Sequence, residues 1–169
     1  GTVGMLHLQA LVSAGCSNIF VIGLDIDKHR FEIAKKLGAT HIVNASKEDP
    51  VKTVKELTGG LGVDILVETA SSPVVWDYML KLVAAKGRVS CFGLYPDAQF
   101  HPLEVIRSGI TLFGDVAFLQ RHFLTGLNWL ESGKVSGEAI ITKRYTLDQA
   151  PEAFADFKAK ETIKCLFEL

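Results

Sequence analysis

With 169 residues the chain is about one domain long and can bury a sizeable core, which excludes small disulfide scaffolds and unfolded tails. Hydrophobic residues make up 48% and charged residues 22%, and no apolar run approaches the roughly 18–20 residues needed to cross a bilayer. Lysine plus arginine number 18 against 19 acids, a net charge of −1, so neither nucleic acid nor a membrane is an expected partner. Cys16, Cys91 and Cys165 lie far apart in apolar stretches without a C-x-x-C pair, which suits buried thiols in a reducing, cytoplasmic compartment.

The chain opens on Gly1-Thr2-Val3-Gly4, with no initiator methionine and no charged segment leading into an apolar one, and it reads as a fragment. Apolar residues crowd 3–14 up to Gly15, which predicts a helix buried nearly all round and closed by a glycine. The continuous apolar run over 19–24 fits a parallel strand covered on both faces. Asp27 can cap the helix that follows, Phe31, Ala34 and Leu37 recur at helical spacing, and Gly38 can take the left-handed backbone that ends it.

A strand over 41–43, a helix over 50–57 and a strand over 63–67 come next, punctuated by Gly59-Gly60. Ser72-Pro73 is an N-cap with a first-turn proline, and the stripe Trp76, Leu80, Val83 and Ala84 extends that helix to Gly87. Strands over 88–92 and 110–113 follow, then a helix striped by Leu119, Phe123, Leu127 and Leu130 and ended by Gly133. Beyond it the texture changes: a strand over 139–145, a helix through Leu147, Ala150, Phe154 and Phe157, and a strand over 162–167. Short buried strands alternating with helices predict an α/β fold with a doubly wound parallel sheet, because parallel strands need long crossovers. The last segments form a C-terminal α/β tail that fits a different layer.

In a G-x-G-x-x-G turn a strand ends at the first glycine, the second admits a pyrophosphate to the backbone, and the third lets helix and strand pack closely. Gly1 and Gly4 fit the second and third, so the first strand of a Rossmann-type sheet is expected to be missing from the chain. The N–H groups and dipole of the helix from Val3 would then hold a pyrophosphate; a glycine pair that merely opens a helix is the alternative. Asp25 stands about twenty residues further on, directly after a strand, where a carboxylate accepts hydrogen bonds from the adenosine ribose and repels a 2′-phosphate. This favours NAD over NADP, although Lys28 and Arg30 close behind can soften the discrimination. A turn begun jointly by Asp25 and Asp27 is the bland reading. Thr69 and Ser71 end the strand over 63–67, where open α/β sheets take ligands, or else cap a helix.

Gly1-Thr2-Val3-Gly4, Leu24-Asp25-Ile26-Asp27-Lys28-His29-Arg30 and Ala34-Lys35-Lys36-Leu37-Gly38-Ala39 resemble the medium-chain, zinc-type alcohol dehydrogenase family, nearest its sorbitol (L-iditol) dehydrogenases. The resemblance continues through Val63-Asp64 to Glu68-Thr69, Gly87-Arg88-Val89 to Gly93-Leu94, and Tyr145-Thr146-Leu147 to Glu152-Ala153-Phe154. It implies that Gly1, Thr2, Val3 and Gly4 cradle the cofactor, that Asp25 takes its ribose, and that Arg30 lies over or beside the adenine. Thr69 joins these as a cofactor contact, while Phe92, Gly93 and Leu94 flank the nicotinamide end and Asp115, Val116 and Ala117 pass beneath its carboxamide. Ordinary packing is the alternative for Phe92 and Leu94.

The resemblance also implies hydride transfer from a polyol or other secondary alcohol to NAD, with zinc in the full-length enzyme only. The small-molecule alcohol is likewise a substrate of the full-length, homo-oligomeric enzyme. No catalytic or metal-ligating residue is expected in this chain: His7, His29, His41, His101 and His122 are scattered, without H-E-x-x-H spacing, and a zinc site needs converging ligands. Residues 1–117 would form the NAD(P)-binding domain and 118–169 would complete a catalytic domain. The fragment is expected to bind NAD without turnover. A methyltransferase using S-adenosylmethionine and a non-catalytic NAD-sensing module are the rival readings.

Overall fold

Strands and helices alternate along the chain, and every strand pairing among the described residues is parallel. The structure, a computed structural model, describes residues 1–114 and 117–169. In chain order the elements are α1 (Thr2–Ser13), β1 (Phe20–Gly23), α2 (Lys28–Lys36), β2 (His41–Asn44), α3 (Pro50–Leu57), β3 (Val63–Glu68), α4 (Met79–Leu82) and β4 (Val83–Cys91). They continue with α5 (Pro102–Ser108), β5 (Thr111–Gly114), α6 (Gln120–Glu131), β6 (Ile141–Tyr145), α7 (Ala150–Lys158) and β7 (Lys164–Phe167). No helix among the described residues is long and apolar enough to cross a membrane.

Two units share the chain: Gly1–Ser46 with Leu119–Leu169, and Lys47–Phe118. In the first, β1 pairs with β2 and β6 with β7. Met5 and Leu8 of α1 pack with Ile19, Ala34, Ile140 and Ile163 in its core. Gly38 ends the turn after α2 at φ +102, a backbone that favours glycine, and a Cβ there would stand 2.7 Å from the Val12 Cγ2 methyl of α1. In the second unit the order is β3-β4-β5, with Met79, Leu80, Val83, Val89 and Ile110 forming the core.

Several expectations are corrected. The helix after Gly1 is not buried all round: Met5, Leu8 and Gln9 are buried, whereas Val3, Leu6 and Val12 are exposed, because one face alone meets the core. The stripe on α6 forms at the expected spacing, but no residue of α6 is buried and Leu119, Phe123, Leu127 and Leu130 are exposed. The single helix expected up to Gly87 is instead a 3-10 turn, Pro73–Asp77, followed by the four-residue α4. Val83 opens β4 opposite Val63, and Ile65 next pairs with Arg88, so the intervening residues make an irregular stretch with Lys86 at φ +65. Spacing alone could not separate the two forms, because Val83 packs into the same core as Leu80 in either. Asp27 takes the N-cap position of α2 as expected, but its carboxylate makes no cap hydrogen bond to that helix; it accepts the Leu24 N–H and the Arg30 guanidinium instead, closing the 3-10 turn Asp25–Asp27.

Candidate functional site

The adjacent ends of β1 and β2 meet in a closed set of polar contacts. Gly23 stands opposite Asn44 in the parallel register, and the Ala45 N–H donates to the Gly23 carbonyl at 2.8 Å. Just beyond, Asn44 Nδ2 donates to Asp25 Oδ1 at 2.8 Å, the Ser46 N–H donates to Asn44 Oδ1 at 3.0 Å, and the Asp25 N–H donates to Ser46 Oγ at 3.0 Å. Lys28 Nζ lies 3.6 Å from the same Oδ1. Asp25 itself is exposed, so a solvent-facing carboxylate is oriented from both strand ends.

A cavity of about 370 Å³ opens at the start of α1, with Gly1, Thr2, Arg30, Lys158, Lys160 and Thr162 among its walls. The first N–H groups of a helix lack intrahelical acceptors and carry its positive dipole end. Thr2 Oγ1 donates to the Ile163 carbonyl at 2.6 Å, tying this end of α1 to the segment before β7. The Arg30 guanidinium is held by Asp27 Oδ1 at 2.7 Å and by the carbonyls of Thr162 at 3.1 Å and Lys160 at 3.4 Å.

Two buried polar atoms, Arg30 Nε and Thr162 Oγ1, have no partner among the described residues, and both belong to residues that line the cavity. Thr162 is only 2% exposed. Orphaned buried donors beside a helix N-terminus fit an anionic ligand such as a diphosphate. Arg30 thus stands at the cavity beside Gly1 and Thr2, whereas Val3 and Gly4 continue the first turn of α1.

The other expected residues lie at the ends of β3 and β4. Glu68, 2% exposed, accepts N–H groups from Ala70 at 2.7 Å and Ser71 at 3.2 Å through Oε1, and from Gly93 at 3.0 Å through Oε2. The Leu94 N–H reaches Ser71 Oγ at 3.2 Å, and Ser71 holds φ +52. Tyr95, hydrogen-bonded to the Trp76 indole, points its hydroxyl toward Glu68. Cys16, Cys91 and Cys165 are half-buried rather than buried as expected; partial burial, aided by Glu68, raises the Cys91 thiol. Thr69 is half-buried, Phe92 and Leu94 are exposed, and Ala117 is exposed with φ +68. Asp115 and Val116 lie outside the described residues.

Among the described residues no three His, Cys, Asp or Glu side chains stand together so as to hold a metal ion. The described residues therefore do not fit a zinc site. Sequence reasoning missed Asn44, Ser46, Glu68, Lys160 and Thr162. For Asn44 a signal existed, a polar residue closing an apolar strand; Lys160 and Thr162 reach the cavity from the far end of the chain and carried none.

A family model described as zinc-binding dehydrogenase matches residues 2–132. The chain belongs to this family. An L-threonine 3-dehydrogenase of Pyrococcus horikoshii is 34% identical over 174 residues, covering 100% of this chain and 49% of its own length. A sorbitol dehydrogenase of Bacillus subtilis is 32% identical over 156 residues, covering 90% of this chain and 43% of its own. The crystal structure of 2R,3R-butanediol dehydrogenase from Bacillus subtilis matches at TM-score 0.88 with 29% identity, over 100% of this chain and 48% of that one. The chain spans about half the length of the curated relatives it matches. The Rossmann-type α/β fold read from the sequence of this zinc-binding dehydrogenase chain holds.

Proposed function

We propose that the chain is the cofactor-binding portion of a zinc-dependent oxidoreductase that transfers hydride from a polyol or another secondary alcohol to NAD. The observation that carries this reading is the cavity at the start of α1, where Arg30 Nε and Thr162 Oγ1 are buried without partners beside a helix N-terminus. Gly1, Thr2, Val3 and Gly4 offer backbone to the diphosphate there. Arg30, expected beside the adenine, is assigned to the diphosphate together with Lys160, because both line this cavity. Asp25 receives the adenosine ribose hydroxyls and repels a 2′-phosphate. Thr69, Phe92, Gly93, Leu94, Asp115, Val116 and Ala117 are assigned to the nicotinamide end on the family resemblance.

When bound, the nicotinamide ring supplies the hydride acceptor. This chain's residues bind and orient. The zinc and the alcohol pocket belong, in this reading, to the whole enzyme, so the chain alone binds NAD without oxidising alcohol. The same reading keeps 1–117 as the cofactor domain and 118–169 as a segment completing a catalytic domain in a cytoplasmic enzyme. It also makes that enzyme a homo-oligomer through β5, one of the two edge strands of its sheet among the described residues, on which Phe113 is exposed.

Fluorescence titration of the purified chain with NADH and NADPH, and calorimetry with S-adenosylmethionine, test the proposal. Saturable NADH binding, tighter than NADPH and losing that preference in Asp25→Asn, is expected. Binding of S-adenosylmethionine without NADH would assign the chain to a methyltransferase instead.

A further inference from the structure

We infer that Asn44 is a specificity-determining positioning residue, which fixes the Asp25 carboxylate in the orientation that accepts an unmodified adenosine ribose and rejects a 2′-phosphate. The inference rests on the proposed role of Asp25 and adds a residue to it. Asn44 is placed by register: it stands opposite Gly23, one backbone hydrogen bond short of the point where β1 and β2 part. Its amide is used at both ends, with Nδ2 donating to Asp25 Oδ1 at 2.8 Å and Oδ1 accepting from the Ser46 N–H at 3.0 Å. Turning the amide over would set oxygen against carboxylate and NH₂ against N–H, so the ring of contacts permits one orientation only.

Ser46 closes the ring by accepting the Asp25 N–H at 3.0 Å, so the acid is held through backbone and side chain alike. An exposed carboxylate would otherwise have to be ordered when a ligand arrives, and ordering it beforehand removes that cost. Asn44 does so without charge. It therefore adds nothing to offset the negative charge that repels a 2′-phosphate, unlike Lys28, whose Nζ lies 3.6 Å from Asp25 Oδ1. Through residue 44 the chain can set its preference between the two dinucleotides with no charged group added.

The test is calorimetric titration of the chain with ADP-ribose and with 2′-phospho-ADP-ribose, for wild type, Asn44→Ala and Ser46→Ala, with thermal unfolding to confirm that each variant is folded. Asn44→Ala is expected to weaken ADP-ribose about tenfold, the worth of one hydrogen bond to a charged group, and to change the 2′-phosphate analogue by less than about twofold. The preference should thus collapse. Ser46→Ala should act in the same direction, and it carries the test if Asn44→Ala does not fold. A wild-type preference that persists in the folded variants, or an equal loss for both probes, overturns the inference while leaving the role of Asp25 standing. A wild-type chain that binds neither probe overturns both.

Discussion

Glu68 Oε2 accepts the N–H of Gly93 at 3.0 Å and so ties the turn after β3 to the turn after β4. A Cβ at residue 93 would stand 2.3 Å from that oxygen and 2.8 Å from the Ser71 backbone nitrogen, so the carboxylate and the glycine specify each other. Gly93→Ala is expected to cost about 2 kcal/mol or more, because backbone as well as side chain must give way. Glu68→Ala, which strands the N–H groups of Ala70, Ser71 and Gly93, should cost at least about 3 kcal/mol. Urea unfolding of each variant measures both; a loss below about 1 kcal/mol for Glu68→Ala would show that water replaces the carboxylate at these donors.

Lys160 holds left-handed backbone at φ +58, a strained conformation for a lysine, while lining the cavity at Gly1. Lys160→Gly keeps the carbonyl that Arg30 uses and relieves the backbone. Stability should rise by about 1 kcal/mol. Affinity for ADP-ribose should fall, and its dependence on salt should shallow as one cation leaves the site. Thermal unfolding and titration at two ionic strengths would reveal this opposition of stability and binding. A variant that is more stable and binds equally well removes Lys160 from the diphosphate site.

Burial would raise the Asp27 carboxyl, but the Leu24 N–H and the Arg30 guanidinium outweigh it and hold the group below its ordinary 3.8. A depressed carboxyl contributes stability that is present above the unfolded value and is lost as pH falls through the folded one. Acid titration of the folded chain should therefore show a component of stability disappearing below pH 3.8 that is absent in Asp27→Asn. Identical acid limbs for the two proteins would contradict it.

Tyr145 donates its hydroxyl to Asp156 Oδ2 at 2.6 Å, and Lys143 Nζ meets the same oxygen at 2.5 Å. Burial first, then the hydrogen bond to Asp156, push the phenol up to about 12. Ultraviolet titration should find one tyrosine that resists ionisation to that range and that moves down in Asp156→Asn. A set of tyrosines titrating together near 10 would exclude the arrangement.

The succession of strands and helices was legible because each signal is local. Gly15, Gly38 and Gly133 all take positive φ where a helix has just ended, as their place after apolar runs required. The site was legible in part. Asp25 stands two residues beyond the end of β1 and could be read from spacing. Asn44 and Ser46 become its partners only through strand register, and Thr162 joins Arg30 across 132 residues of sequence. Glu68 reads in sequence as the last residue of an apolar strand; its meaning lies in three N–H groups that turn toward it from two separate turns.

The discontinuity of the first unit bears on the order in which the chain is made. Thr2 finds its partner at Ile163, and the core that holds Met5 and Leu8 also needs Ile140 and Ile163. At about 5–20 residues per second, a ribosome spends several seconds between finishing the Gly1–Ser46 segment and delivering the Leu119–Leu169 segment that completes it. Lys47–Phe118 is contiguous and can close during that interval, while β1, β2 and the apolar side of α1 wait for their remaining partners. The nascent chain therefore leaves the core-facing surfaces of α1, β1 and β2 exposed longest, and those surfaces are where a holding chaperone would bind.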